Sequence, residues 1–174
     1  MFIVRLIILV LLAVVLFQDL KSRSVLWVIF PLLSIVLIIN RILQHETNGT
    51  IVVATGYNLI FLFLQLILLT LYFSARNKKW INITEGMLGW GDILFLAVIA
   101  VYCSTLNFIL FYIVSLILVV MIWMALQVFS QTSRQVPLAG LQAAMFTLLL
   151  VTDWFWMHLN INSDFWIEKL FFLR

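Results

Sequence analysis

Charge is scarce in this sequence: 10% of its 174 residues are Asp, Glu, Lys or Arg, while 66% are hydrophobic. A soluble domain with that balance would expose too much apolar surface to stay dispersed. The membrane must therefore be the solvent. Cys103 is the single cysteine, which excludes an internal disulfide and a cysteine cluster for zinc. His45 and His158 lie in different segments, so no histidine metal site is expected, and no cofactor is called for. The ten basic residues are scattered, most of them among the connections and the tail. Without a basic stripe, nucleic acid is excluded as a partner.

What fills the chain is apolar runs. A spanning helix needs roughly 20 apolar residues to cross a hydrocarbon core about 30 Å thick, and the length allows about six. Hydropathy, cut by its polar interruptions, predicts an all-α, polytopic membrane protein with spans near 2–18, 25–40, 51–73, 92–106, 107–129 and 138–157. These form a single membrane-embedded domain over 1–174. The first run lacks the small-residue cleavage signature of a signal peptide and leads straight into further spans, so it reads as a permanent helix. After the last span, Phe165, Trp166, Phe171 and Phe172 alternate with Asp164, Glu168 and Lys169. That mixture suits the headgroup zone, and 158–174 is expected to lie along the interface.

Six spans put the first, third and fifth connections on one side of the membrane. Those connections hold Lys21, Arg23, Arg76, Lys78, Lys79 and Arg134, against Arg5, Arg41, Lys169 and Arg174 on the other side. The bias predicts that the odd connections are cytoplasmic.

Ionised carboxylates are costly in hydrocarbon, so acids that border spans are the informative ones. Glu46, Asp164 and Glu168 fall in loop or tail, Glu85 in the long third connection, and Asp153 at the outer end of the sixth span, where a solvated role is expected. Two acids remain. Asp19 closes the first span and Asp92 opens the fourth, in Gly89-Trp90-Gly91-Asp92. The predicted topology puts both on the cytoplasmic side, at the depth where hydrocarbon meets headgroups.

Two carboxylates that share a site hold one proton between them at neutral pH, which makes an acid and a base together. The ionised member takes a proton from a water as that water attacks a peptide carbonyl, and the protonated member donates to the carbonyl oxygen and then to the leaving amine. This is aspartic proteolysis. Gly89 and Gly91 lack a Cβ and so allow close approach of an extended substrate backbone. The competing readings are structural: Asp19 as an interfacial acid paired with Lys21 or Arg23, Asp92 as a helix N-cap, and Gly-x-Gly as a simple turn.

Three segments resemble those of the prepilin peptidases (type IV leader peptidases), relatives of the archaeal preflagellin peptidases among the Gly-x-Gly-Asp intramembrane aspartic proteases. Asp19-Leu20-Lys21-Ser22-Arg23-Ser24-Val25 resembles the first catalytic segment, an aspartate and a basic stretch usually followed by Ile-Pro-Asn. Gly86-Met87-Leu88-Gly89-Trp90-Gly91-Asp92 resembles the second, and Val136-Pro137-Leu138-Ala139-Gly140 the Ile-Pro-Phe-Gly-Pro segment that opens the last helices. The resemblance implies that Asp19 and Asp92 are the catalytic pair. It implies as substrate a pilin-like precursor, with a basic cytoplasmic leader ahead of a hydrophobic helix, and as location the bacterial cytoplasmic membrane.

The sequence departs from the family around the two aspartates: Leu26 and Trp27 replace Pro-Asn, and Leu94 stands where a lysine is usual. Larger members carry a cysteine-bearing N-terminal region and also methylate the new N-terminus, so peptidase activity alone is expected here. Two other readings compete. A non-catalytic scaffold subunit of a secretion or envelope complex would use the acids only for structure, and a transporter would need ionisable groups near the midplane, which these spans hardly carry.

Overall fold

The computed structural model describes residues 1–44, 46–78, 89–129, 137–157 and 160–164, with the side chains of 48, 123, 126–129 and 157 left aside. These residues are helical in six stretches: α1 (Phe2–Ser22), α2 (Ile29–Leu43), α3 (Asn48–Asn77), α4 (Trp90–Tyr102), α5 (Thr105–Phe129) and α6 (Leu138–Thr152). A single π-helical turn, Asp153–Met157, follows α6. The stretches around α1, α3, α5 and α6 are long and apolar enough to cross a membrane. By contrast α2 and α4, with 15 and 13 residues, rise only about 22 and about 20 Å.

The helices α1, α2, α4 and α6 enclose the core, and α3 and α5 pack alongside α4 and α6. On α1 the buried residues are Ile8, Leu12, Val15 and Asp19, one stripe at helical spacing. That stripe carries Asp19 inward on the same face as three aliphatic side chains. On α4 the burial of Phe95, Leu96, Val98, Ile99, Ala100 and Tyr102 leaves little free face, as expected of a central helix. Asp92 lies on the same stripe as Phe95, Leu96 and Ile99. The buried face of α6 begins with Ala139, Gly140 and Ala143, small residues that let the α1 backbone come close without a side chain between them.

The two ends of the bundle differ. One end holds Asp19, Asp92 and the start of α6. At the opposite end, Arg41 is 1% exposed, donates to the Val101 carbonyl at 2.9 Å and pairs with Glu46 at 2.6 Å. Asn58 donates to the carbonyls of Ala100 and Cys103, both at 2.9 Å, satisfying the C-terminal end of α4. Tyr102 accepts from Asn40 and from the Trp154 indole.

Asp164 accepts from the Ser104 hydroxyl and the Leu106 amide at the start of α5. Asp153, expected as a solvated acid, is buried and accepts from the Asn160 amide at 2.8 Å. Residues 160–164 thus fold back over the α4–α5 junction, where Ile161 and Asn162 are buried. The rest of the tail 158–174 lies outside the described residues, as do Glu85, Gly86-Met87-Leu88, Arg134 and Val136.

Candidate active site

The two sequence-predicted aspartates meet at the N-terminus of α6. The Gly140 amide donates to Asp19 Oδ2 at 2.6 Å, and the neighbouring Ala139 amide donates to Asp92 Oδ1 at 2.9 Å. The first amides of any helix lack partners within it. Here carboxylates on α1 and α4 accept from two of them, and their negative charge faces the positive end of the α6 dipole. Asp19 is 7% exposed and Asp92 half-buried. They are near enough for Asp19 to act electrostatically on Asp92.

Their environments are not equivalent. Asp92 also accepts, through Oδ2, from the Gly89 amide at 3.1 Å. This is the reciprocal half of a capping box, and Gly89, with no side chain, leaves the other half unmade. Both oxygens of Asp92 are therefore engaged by backbone N–H groups. Asp19 is held through Oδ2, and the Arg23 guanidinium beside it acts on it electrostatically. Lys21, the other expected partner, lies over the Phe17 ring at 5.5 Å.

Local sequence explains these placements. The last turn of α1 closes at Arg23 in the left-handed region (φ 52°), with its amide bonded back to the Asp19 carbonyl at 3.0 Å. Gln18 then accepts from the Leu26 amide through its side chain, which ties the turn into α2. Pro137 stands just ahead of α6, where its missing N–H costs nothing.

Of the two sequence-predicted glycines, Gly89 makes the close contact: a Cβ there would lie 3.1 Å from Asp92 Oδ2. Gly91 has ordinary room, with the nearest atom, on Phe30, at 4.0 Å from such a Cβ. Gly140, which the sequence reading placed only at the opening of a helix, is the tightest of the three. A Cβ on it would meet Asp19 Cβ and Oδ2 at 3.0 Å and Cγ at 3.4 Å.

Sequence reasoning missed the amides of Ala139 and Gly140, because backbone donors carry no residue-type signal. The available hint was a glycine three residues after a proline at the head of an apolar helix. Gln142, fully buried one turn further in and donating to Ser115 at 3.3 Å, was also missed.

A carboxylate pair at one end of an apolar bundle has the parts for general acid and general base catalysis on one substrate. Among the described residues no group of three or more His, Cys, Asp or Glu gathers to hold a metal. Comparison with protein families, characterised proteins and solved structures finds no match to this chain.

Proposed function

We propose that this chain is a membrane aspartic endopeptidase that removes the short N-terminal leader of type IV prepilin-like precursors at the cytoplasmic face of a bacterial membrane. The observation that carries the reading is the meeting of Asp19 and Asp92 on consecutive amides of α6. The order of the three motif segments and the basic residues on the odd connections support it.

In this reading a water lies between the two carboxyl groups. The ionised carboxylate takes a proton from it as the water oxygen bonds to the scissile carbonyl carbon, and the protonated partner gives its proton to the carbonyl oxygen. The resulting tetrahedral adduct then collapses: the carboxyl that took a proton from water gives it to the departing nitrogen, the C–N bond breaks, and the other carboxylate takes a proton from a hydroxyl of the adduct as the product's C=O forms. The pair ends with one proton, as it began. No cofactor enters the balance. Leu26 and Trp27, 62% and 70% exposed beside this end of the bundle, offer apolar surface to the substrate where the family presents Pro-Asn.

The second reading, a non-catalytic scaffold subunit, draws on the same hydrogen bonds, since both carboxylates also cap α6. Co-expression with a pilin-like precursor separates the two. Leader removal is expected with the wild type and lost in Asp19→Ala and in Asp92→Ala. Cleavage that persists undiminished in both variants rules out the aspartic mechanism.

A further inference from the structure

We propose that the first turn of α6 is a positioning element of the peptidase site, with Gly140 the residue that sets where Asp19 stands. The inference rests on the peptidase reading and adds to it a residue that touches neither water nor substrate.

The argument begins with the spacing of donors. The amides of Ala139 and Gly140 are consecutive on a helix, so the separation and direction of their N–H groups are fixed by helix geometry. One accepts no adjustment relative to the other. Because the first holds Asp92 Oδ1 and the second Asp19 Oδ2, α6 acts as a rigid gauge between side chains that arrive on two different helices. Neither α1 nor α4 alone fixes that separation.

The gauge works only if α6 comes within hydrogen-bonding reach of Asp19, and the residue at 140 decides this. A Cβ there would lie 3.0 Å from both Asp19 Cβ and Oδ2, whereas carbon atoms settle at about 3.5–4.0 Å. One of those contacts is to the root of the side chain, so a rotamer change alone does not relieve it. The α1 and α6 backbones must separate by several tenths of an ångström, and the 2.6 Å bond lengthens with them. Gly89 has the matching place beside Asp92, where a Cβ would lie 3.1 Å from Oδ2. Each carboxylate therefore rests against a glycine, Asp92 against the N-cap of its own helix and Asp19 against α6.

Near-attack geometry is sensitive on this scale, and a misplacement of about 1 Å costs up to about a hundredfold in rate. For Gly140→Ala the expected result is a fall in kcat of about tenfold or more, with KM for a pilin-like precursor within about twofold, since apolar contacts with the precursor are untouched. The control is Gly56→Ala, on α3, where a Cβ meets nothing within 4 Å; it should leave both constants unchanged. An unaltered kcat in Gly140→Ala, with Asp19→Ala inactive, overturns the positioning role and leaves the peptidase reading standing. Activity in Asp19→Ala overturns the peptidase reading itself.

A measurement independent of cleavage guards against misfolding. In a Cys103→Ser background, Asp19→Cys combined with Gly140→Cys should cross-link under mild oxidant, because their Cβ atoms lie close to disulfide range. The same should hold in membranes without any precursor. Failure of that bond to form overturns the placement of α6 against α1.

Discussion

The unequal hydrogen bonding of the two aspartates makes their neutral isosteres unequal in stability. Asp92 accepts from Ala139 through one oxygen and from Gly89 through the other. In Asp92→Asn the single carbonyl oxygen serves one of these amides and the new NH2 group faces the second, donor against donor. Losing a hydrogen bond to a charged group costs about 1.5–3 kcal/mol, and losing the charge at the helix N-terminus about 0.3–1 kcal/mol more. The sum is about 2–4 kcal/mol. In Asp19→Asn the carbonyl oxygen keeps the Gly140 bond and the NH2 takes the place of Oδ1. No hydrogen bond is lost, and the share of the pair's single negative charge that Asp19 carries at 7% exposed brings a desolvation cost that the amide removes. The expected change is about 1 kcal/mol or less.

Both variants should be inactive as peptidases, yet Asp92→Asn should unfold well before Asp19→Asn in a titration of mixed micelles with denaturing detergent. Equal stability, or Asp19→Asn as the weaker variant, would refute the asymmetry on which this rests.

Two further outcomes follow from the same geometry. Cleavage by a pair that must hold one proton requires one carboxyl ionised and one not. Plotted against pH, kcat/KM should therefore rise and fall, lost on the acid side when the base is protonated and on the alkaline side when the acid is ionised; a profile with a single limb would be incompatible. At the opposite end, Glu46→Ala strands a guanidinium that is 1% exposed and retains the Val101 carbonyl. Because Glu46 itself is 20% exposed, the cost should sit near the lower end of the range for broken buried pairs, about 3 kcal/mol, read by the same unfolding titration, and a loss below 1 kcal/mol would show the pair to be dispensable.

Much of the architecture was legible because the membrane imposes one periodicity on nearly every residue. Apolar runs gave six helices, and the acids stood out as exceptions within them. Asp19 was readable as the acid that closes a span; that it shares a buried stripe with Ile8, Leu12 and Val15 was not, because α1 is apolar on nearly every side and the stripe is chosen by packing. The α4–α5 break was legible to within a few residues: the polar interruption placed it at 106/107, whereas α4 ends at Tyr102 and α5 starts at Thr105. What fixes those ends is long-range: Asn58 donates to two carbonyls at one, and Asp164 accepts from a hydroxyl and an amide at the other. A pattern of 3.6 residues does not report partners that distant. For the same reason Arg41 and Asp164 read as loop and tail charges, though one is buried and the other caps a helix.

The site itself divides along a similar line. Side-chain chemistry is written in residue types, and it pointed to Asp19 and Asp92. Their mutual placement depends on two backbone amides, and any residue but proline supplies an amide. Gly140 is where the two kinds of information meet, because an amide that must approach a carboxylate root within van der Waals distance leaves room for hydrogen alone. Residue type alone does not carry that message, since Gly49 in the first turn of α3 and Gly56 further along it have nothing within 4 Å of where a Cβ would stand. At Gly140 the packing of α1 against α6 supplies it, and the neighbour that alanine would displace is Asp19.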